Sequence, residues 1–313
     1  MSVLLLGADG QVGFELHRLL PSVANTIATT RIGVLPGVAP CRALDLAVPG
    51  AAAALIAEVR PRWVVNAAAY TAVDRAEDEP ALAQRVNGDA LGEIGNAARA
   101  VGARVLHFST DYVFSGEGTR PWREDDATGP RNAYGRSKLA GEQALAASGC
   151  QYLLLRTAWV YGARGRNFLR TMLKLGRDRD ELSVVADQRG TPTSSRAIAA
   201  GALACMLRAD AGSDVRWGTY HLSCAGESSW HEFATAIFAG AAHASLLAKQ
   251  PTVHAIASAA YPTRAIRPAW SVLDCTRVAE TFGVRLPAWR EALDLVLGEL
   301  AEQERDWGRA GTR

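Results

Sequence analysis

Short hydrophobic runs alternate with longer amphipathic segments through the first half of the chain. Continuous apolar runs are typical of parallel strands that are buried on both faces, and the segments between them have the spacing of helices that cover such a sheet. The predicted strands are residues 3–6, 26–30, 43–46, 63–66, 104–109 and 152–156, and the predicted helices are residues 11–20, 49–60, 81–101 and 134–147. This alternation predicts an α/β fold with a Rossmann-type doubly wound parallel sheet.

The second half of the chain has a less regular pattern. Helical spacing recurs at residues 167–175, 194–207, 230–242 and 289–302, and short strands are predicted at residues 182–185 and 220–223. No internal repeat or low-complexity linker separates the two halves. We therefore expect a Rossmann domain over residues 1–160, to which later segments return, and a smaller C-terminal α/β substrate-binding lobe over most of residues 161–313.

Composition narrows the class of partner. Among the 313 residues, 34 basic side chains stand against 32 acidic ones, and the formal net charge of +2 gives no electrostatic reason to expect a nucleic acid or a membrane surface. No apolar run approaches the ~18 residues of a membrane span, and the first residues lack the basic start of a signal peptide. The 5 cysteines are widely spaced without a C-x-x-C pair, which is typical of free thiols in a reducing compartment. We expect a cytoplasmic globular protein.

A glycine motif follows the first predicted strand. Gly7, Gly10 and Gly13 have the spacing G-x-x-G-x-x-G. Glycines permit a tight turn and let the backbone approach a pyrophosphate at the start of a helix, where the amide dipoles favour an anion. With 29 glycines, this spacing arises by chance in roughly a quarter of such chains, so the motif's placement between strand and helix is what favours dinucleotide binding over a plain turn.

The end of the second predicted strand bears on the choice of dinucleotide. A site specific for NAD usually has an acidic residue there, which binds the 2′-hydroxyl of the ribose. In this chain the strand ends with Thr30 and is followed by Arg31, whose guanidinium could pair with a 2′-phosphate. The alternative for Arg31 is a solvated arginine in a loop. We predict NADPH as the cofactor, with NADH as the alternative.

Tyr134 and Lys138 form a Y-x-x-x-K motif on a predicted helix. Positions i and i+4 share a face, so the ammonium group is expected to favour phenolate and to lower the pKa of the tyrosine, as a general acid requires. The chain has only 3 lysines among its 34 basic residues, and a chance match is expected in about 0.07 of such chains. The alternative is a solvated pair on an exposed helix.

Polar and small residues follow two neighbouring strands. Ser109, Thr110 and Asp111 end one strand at the carboxyl edge, where open α/β sheets bind ligands and where hydroxyl groups can donate to a carbonyl oxygen that gains negative charge. Asn66, followed by three alanines, ends the preceding strand in the same way. His107 and the other histidines lie in periodic segments without metal-ligand spacing, which favours packing or solvation over metal binding.

These motifs, in this order, resemble the extended short-chain dehydrogenase/reductases. The order is the glycine turn, N-A-A-A, S-T-D and Y-x-x-x-K. Further blocks resemble the dTDP-4-dehydrorhamnose reductase family more narrowly, and they lie at residues 67–74, 109–114, 156–162, 187–193 and 220–222. The resemblance extends from residue 3 to about residue 300.

The resemblance implies an NADPH-dependent oxidoreductase that reduces the 4-keto group of dTDP-4-dehydro-L-rhamnose, the last step in the synthesis of a sugar nucleotide for cell-surface polysaccharide. By position it implies that Tyr134 donates the proton, that Lys138 holds the nicotinamide ribose and that Thr110 polarises the keto oxygen, with Asp111 and Trp159 lining the sugar site. The first domain becomes an NADP-binding domain, with these cofactor-binding residues: Gly7, Gly10, Gln11, Val12, Gly13, Arg31, Asp45, Leu46, Ala67, Ala68, Ala69, Tyr70, Phe108, Tyr134 and Lys138. The partner is the small-molecule sugar nucleotide, and a homodimer is left open.

The sequence departs from the family at a metal-binding position, and two other functions compete with that of a reductase. Some members form dimers bridged by a metal through glutamates near both chain ends. Here Arg290 stands where a carboxylate is expected beside Glu15 and Glu299, so we expect neither a metal site nor bound Mg²⁺. One rival is another sugar-nucleotide short-chain reductase or epimerase, whereas a dehydratase would require an Asp-Glu pair that is missing after Thr110. The other is a non-catalytic regulatory subunit resembling that of methionine adenosyltransferase, against which the complete set of Tyr134, Lys138 and Thr110 argues.

Overall fold

Strands and helices alternate along the chain as the hydrophobic pattern predicts. The computed structural model describes residues 1–35, 41–212 and 215–310. The strands are β1 (Ser2–Leu6), β2 (Asn25–Thr30), β3 (Arg42–Ala43), β4 (Trp63–Asn66), β5 (Arg104–Thr110), β6 (Tyr152–Thr157), β7 (Val160–Tyr161), β8 (Glu181–Val185), β9 (Arg189–Gly190), β10 (Thr193–Ser194), β11 (Gly218–His221), β12 (Ser228–Ser229) and β13 (Thr252–Ile256). The helices are α1 (Gln11–Leu19), α2 (Ala51–Val59), α3 (Pro80–Gln84), α4 (Ala90–Val101), α5 (Ala133–Ala147), α6 (Phe168–Asp178), α7 (Ser195–Ala211), α8 (Trp230–His243), α9 (Thr276–Phe282) and α10 (Trp289–Ala310).

The central sheet is parallel and doubly wound. Within the described residues it has 7 strands in the order β11-β6-β5-β4-β1-β2-β3. β1 pairs with β2 on one side and with β4 on the other, so the chain reverses direction across the sheet at β1. Ligands bind outside the carboxyl ends of the strands at such a reversal, because the flanking loops diverge there.

Two hydrophobic clusters cover the two faces of this sheet. Val3 and Leu5 of β1 share a cluster with Ile198 of α7 and Phe282 of α9, whereas Leu4 shares another with residues of α2, α4 and α5. A third cluster joins α6, α8 and α10 with β8, which forms a two-stranded sheet with β13. The division at residue 160 stays a prediction, and β11, α7 and α9 are later segments that pack on the central sheet.

Several predicted elements differ from the observed ones. The third strand ends at Ala43, because the side chain of Asp45 accepts the N–H of Ala47 at 2.9 Å and turns the chain. The helix predicted over residues 81–101 is divided by the π-helical turn Arg85–Asp89. The strand predicted at residues 220–223 begins two residues earlier, as β11, and pairs with β6 of the central sheet. β13 was not predicted at all.

Candidate active site

A glycine turn joins β1 to α1 at the carboxyl edge of the central sheet. Gly7 has a φ of +77°, and a Cβ atom there would lie 2.7 Å from the backbone nitrogen of Ala68. A Cβ atom on Gly13 would overlap the carbonyl oxygen of Gly7. Helix α1 begins after Gly10 with no side-chain cap and no acidic residue in its first turn, so its first N–H groups remain available to an anion. This cradle fits a dinucleotide pyrophosphate.

The next two residues tie the glycine turn to the rest of the molecule. Oε1 of Gln11 accepts a hydrogen bond of 2.9 Å from Nδ2 of Asn167, the residue that caps the start of α6. Val12 packs against the hydrophobic cluster that contains β1. The turn is therefore braced by the second half of the chain.

The end of β2 carries the residue predicted to select the cofactor. Thr30 is buried, and its hydroxyl oxygen accepts the N–H of Val34 at 3.0 Å, which folds the chain into a turn. Arg31 is exposed in that turn, at the position from which such sites contact the adenosine ribose. Asp45 uses its carboxylate in the turn after β3, and Leu46, only 5% exposed, packs in the core beside α2. Cofactor contacts by these residues stay predictions.

The loop after β4 contains Ala67, Ala68, Ala69 and Tyr70, all half-buried. The N–H of Ala68 donates to Oδ1 of Asn66 at 3.1 Å. The side chain of Asn87, in the π-helical turn, accepts the N–H of Tyr70 at 2.9 Å and donates to its carbonyl oxygen at 3.0 Å. Nδ2 of Asn87 also donates to Oγ of Ser137 on α5 at 2.9 Å. Asn87, which sequence reasoning missed, therefore joins this loop to the helix that carries Tyr134.

Tyr134 lies in the first turn of α5. This helix begins at Asn132, whose Oδ1 accepts the N–H of Gly135 at 2.8 Å. The ring of Tyr134 meets the ring of Tyr112 edge-on, with centroids 5.6 Å apart. Burial raises the pKa of Tyr134, and an interaction with the hydroxyl group of Thr110 acts in the opposite direction. The phenol is consequently protonated at neutral pH.

Lys138 follows one turn later and is 2% exposed. Burial lowers its pKa to about 8, and the carboxylate of Glu142 acts in the opposite direction. Nζ donates to the carbonyl oxygen of Phe108 at 2.7 Å and lies 3.0 Å from Nε2 of His107. The prediction that Lys138 lowers the pKa of Tyr134 is wrong for this geometry, because the amine is directed towards β5 and the burial of the phenol dominates.

Thr110 and Asp111 meet Tyr134 at the carboxyl end of β5. Oγ1 of Thr110 donates to Oδ1 of Asp111 at 3.0 Å and accepts the N–H of Tyr112 at 3.2 Å. Asp111 is 3% exposed, and its Oδ2 has no hydrogen-bond partner among the described residues. Burial raises the pKa of this carboxyl to about 7, and the hydrogen bond from Thr110 acts in the opposite direction. A buried acid with an unpaired oxygen suits recognition of a polar ligand.

Trp159 lies between β6 and β7, just beyond the carboxyl end of β6. It has a φ of +47°, which is unusual for a large side chain. Its ring stacks on Trp230 with centroids 3.5 Å apart and an angle of 5°, and Nε1 donates to Oγ of Ser271 at 3.1 Å. Oγ of Ser271 in turn donates to the carbonyl oxygen of Arg189 at 3.3 Å, so Trp159 is connected to β9. A sugar contact for Trp159 stays a prediction.

The residues do not fit a metal ion at the position that the family resemblance suggested. Glu15 and Glu299 interact with Arg18 at 3.4 and 3.6 Å, and Arg196 lies 3.9 Å from Glu299. These guanidinium groups supply the positive charge that the two carboxylates face. Among the described residues, no group of three or more His, Cys, Asp or Glu side chains is arranged to hold a metal. Arg290 packs over the ring of Trp289.

Comparisons with known proteins agree with this geometry. A family model described as "RmlD substrate binding domain" matches residues 1–302. The dTDP-4-dehydrorhamnose reductase of Burkholderia thailandensis is 45% identical over 312 residues, which cover 97% of this chain and 100% of that protein. A solved dTDP-4-dehydrorhamnose reductase from Clostridium acetobutylicum has a TM-score of 0.86 and 35% identity, and the match covers 96% of this chain and 99% of that one.

A second solved structure carries a cofactor. The dTDP-4-dehydrorhamnose reductase of Bacillus anthracis, in complex with NADP, has a TM-score of 0.85 and 32% identity, and the match covers 95% of this chain and 99% of that one. The doubly wound fold predicted from the hydrophobic pattern and the family resemblance predicted from the motifs are thus confirmed. None of the helices in the described ranges has the length and apolar character needed to traverse a bilayer.

Proposed function

The chain belongs to the RmlD substrate binding domain family, that of the dTDP-4-dehydrorhamnose reductases, and on that premise we propose that it uses NADPH to reduce the 4-keto group of dTDP-4-dehydro-L-rhamnose to dTDP-L-rhamnose. The observation that carries this proposal is that Tyr134 lies by Thr110 and that Lys138 binds Phe108, both in the carboxyl-terminal half of β5, two strands from β1 and its glycine turn. The reaction is the last step of dTDP-L-rhamnose synthesis.

The residues around the glycine turn fit a dinucleotide. A Cβ atom on Gly7 would occupy the narrow space against Ala68, and the first N–H groups of α1 have no acidic neighbour. Arg31 supplies a cation for a 2′-phosphate, and the small side chains of the loop after β4 leave room for the nicotinamide half. When bound there, NADPH supplies the hydride that reaches C4 of the sugar.

Tyr134 supplies the proton in this proposal. As the keto oxygen of the sugar gains negative charge, the phenol of Tyr134 donates its hydrogen to that oxygen. Because burial raises the pKa of the phenol, Tyr134 holds this hydrogen at neutral pH until an alkoxide forms as a stronger base. The hydroxyl group of Thr110 donates to the same oxygen once it turns away from Asp111, and it thereby stabilises the developing charge.

Lys138 positions the cofactor in this proposal. Its Nζ is held by the carbonyl oxygen of Phe108, which leaves further donors for a ribose hydroxyl. A compact ammonium group on a buried stem can lose its proton when its surroundings change, which arginine cannot do. This difference explains the use of one of the chain's 3 lysines at this position.

The test is a turnover assay with a panel of sugar nucleotides. The loss of NADPH absorbance is followed with dTDP- and UDP-linked 4-keto-6-deoxysugars, and the highest kcat/KM is expected for dTDP-4-dehydro-L-rhamnose. Tyr134→Phe should lower kcat by ~10² or more. Tyr112→Phe is the matched control, since its ring packs against Tyr134 and its hydroxyl group lies 3.3 Å from Arg267.

The outcomes separate this function from its rivals. A preference for another keto-sugar would reassign the substrate within the sugar-nucleotide reductases, and interconversion of 4-epimers without net use of NADPH would indicate an epimerase. A folded wild type that binds NADPH but reduces no sugar in the panel would belong with the regulatory subunits. Turnover retained by Tyr134→Phe would assign the proton to another group.

A cytoplasmic location belongs to the same proposal. It is supported by the five cysteines, all of which are free thiols: Cys41, Cys150, Cys205, Cys224 and Cys275. Free thiols persist in a reducing compartment. A homodimer remains open beside a monomer, and light scattering of the purified chain decides between them.

A further inference from the structure

His107 is a buried polar side chain that the proposed mechanism does not use. It lies in the middle of β5, directly opposite Asn66 of β4, and is 2% exposed. Both ring nitrogens are engaged. Nδ1 lies 3.1 Å from Nδ2 of Asn66, and Nε2 lies 3.0 Å from Nζ of Lys138.

The neighbouring backbone determines which ring nitrogen carries the hydrogen. The N–H of Ala68 donates to Oδ1 of Asn66, so the amide nitrogen of Asn66 is the group that faces His107. That nitrogen is a donor only, and Nδ1 must therefore accept. A neutral imidazole has one N–H, and here it belongs to Nε2, which points at Lys138.

This arrangement suits an uncharged lysine. With the ring hydrogen on Nε2, the amine accepts this hydrogen through its lone pair and donates to the carbonyl oxygen of Phe108 at 2.7 Å. An ammonium group has no lone pair, so it can meet Nε2 only if Nε2 is the acceptor. The ring hydrogen must then lie on Nδ1, which requires an acceptor on Asn66.

We infer that His107 is a positioning residue that couples the charge of Lys138 to the loop after β4. Charging Lys138 adds one proton to the pair: Nζ then donates to Nε2, and the ring's own hydrogen moves to Nδ1. The amide of Asn66 turns to present Oδ1 to Nδ1–H, and the hydrogen bond from Ala68 is lost. The role of Lys138 in turnover rests on the proposed function. The hydrogen-bond arrangement of His107, Lys138 and Asn66 does not depend on it.

The other charged groups around Lys138 leave this role to His107. Glu142 lies one turn later on α5 and is paired with Arg156 of β6 at 2.6 Å, both being almost fully buried. Tyr134, one turn earlier, is protonated, and β4 presents the uncharged Asn66. Of the described groups that contact Nζ, only the imidazole can exchange the role of donor for that of acceptor.

The pKa shifts of Lys138 and His107 place the change of hydrogen-bond direction between them within a pH range that can be measured. Burial lowers the pKa of Lys138 to about 8, so its charge changes near that pH. Burial and the nearby charge of Lys138 hold the pKa of His107 well below its usual range, so the ring stays neutral throughout. The single ring hydrogen is therefore expected to move from one ring nitrogen to the other, and the ring does not gain a second hydrogen.

The first experiment uses the unaltered protein. Nitrogen NMR of the full chain, labelled at histidine, distinguishes a protonated ring nitrogen from an unprotonated one. We expect His107 to carry its hydrogen on Nε2 above about pH 9 and on Nδ1 below about pH 7, with a midpoint near the pKa of Lys138. One unchanged tautomer across that range, or a doubly protonated ring, would overturn the inference whether or not the protein reduces a sugar.

The second experiment measures the pH dependence of turnover. In His107→Gln, the amide oxygen can accept from the ammonium group without any tautomer change, so the alkaline limb of kcat/KM should move up by about one pH unit. His221→Gln is the matched control, because His221 is 0% exposed on β11 and its Nδ1 contacts the carbonyl oxygen of Trp122, not Lys138. Its profile should match that of the wild type.

The two possible failures are distinguishable. If the wild type turns over and both glutamine variants keep its alkaline limb, His107 only packs the sheet and the inference is wrong. If the wild type shows no turnover, the proposed function fails, and the NMR result still decides the state of His107. A Tm within a few degrees of the wild type excludes loss of folding as the cause of a shifted limb.

Discussion

Replacing Trp159 with alanine tests whether this ring contacts the sugar or only packs the fold. One face of the ring is covered by Trp230, with centroids 3.5 Å apart, and Nε1 donates to Ser271 at 3.1 Å. The ring remains half-buried, so only part of its surface can contact a ligand. Trp159 has a φ of +47°, which alanine also tolerates poorly. The backbone strain is therefore nearly the same in the wild type and in Trp159→Ala.

The expected loss of stability follows from these contacts. An aromatic stack contributes about 0.5–1.5 kcal/mol beyond its buried area, and a hydrogen bond about 0.5–1.5 kcal/mol. With the apolar contact of a half-buried ring, the free energy of unfolding should fall by about 3 kcal/mol, the lower end of the range for Trp→Ala. In a chain of 313 residues that lowers Tm by about 5 °C.

Trp230→Ala is the matched control. It removes the same stack and also a contact with Phe168, whose ring centroid lies 4.7 Å away, so a similar fall in Tm is expected. Trp230 lies on the covered face of Trp159. The KM for the keto-sugar nucleotide should therefore rise by about tenfold in Trp159→Ala, which corresponds to ~1.4 kcal/mol, and by less than about threefold in Trp230→Ala. The Kd for NADPH should be unchanged in both variants.

Steady-state kinetics and thermal unfolding of the two variants decide the question together. An unchanged KM in Trp159→Ala would show that the ring does not contact the sugar. An equal rise of KM in both variants would show that the stacked pair acts as one structural block, and the sugar contact would be refuted even though KM had changed.

Three further outcomes are expected. Arg31→Ala should lower the ratio of kcat/KM for NADPH to that for NADH by about tenfold or more, and a wild type that prefers NADH would contradict the role of Arg31. Lys138→Ala should lower kcat and also weaken NADPH binding, whereas Tyr134→Phe should lower kcat alone; equal Kd values for NADPH in the two variants would remove Lys138 from the cofactor site. Because burial raises the pKa of Asp111 to about 7, the folded state binds a proton that the unfolded chain releases near pH 4, so the wild type loses stability as the pH rises between these values. The Tm of Asp111→Asn relative to the wild type should accordingly increase across this window and level off above about pH 7, and a constant difference would show that the carboxyl is ionised throughout.

The sheet was predictable because its strands are short, apolar and buried on both faces. The predicted strand at residues 63–66 coincides with β4 (Trp63–Asn66). β13 (Thr252–Ile256) was missed because it is mostly exposed and contains a histidine, and what defines it is its pairing with β8. A partner that is distant in sequence leaves no trace in the local pattern. The same reason explains why β11 could not be assigned to the central sheet.

The candidate site was predictable as far as its motifs reach. Tyr134 and Lys138 were predicted because their types and spacing are rare by chance, and Thr110 because it ends a strand at the carboxyl edge of the sheet. Their roles stay predictions. Asn87 was missed because the π-helical turn that aims it arises from tertiary contacts with Tyr70 and Ser137. His107 was interpreted as packed or solvated, since a single histidine in an apolar strand gives no sign of the lysine that it meets.

The face of the central sheet that carries α1 is closed by residues that are synthesised well after the strands they cover. Val3 and Leu5 share their hydrophobic cluster with Ile198 and with Phe282. A nascent chain that has emerged only as far as β6 has six of the sheet's strands but neither α7 nor α9, so this face stays open to water and to other nascent chains. Roughly 125 further residues must leave the exit tunnel before it closes, which takes about 6–25 s at cellular rates of synthesis. Through that interval the partly synthesised chain presents an apolar surface on which chaperones act.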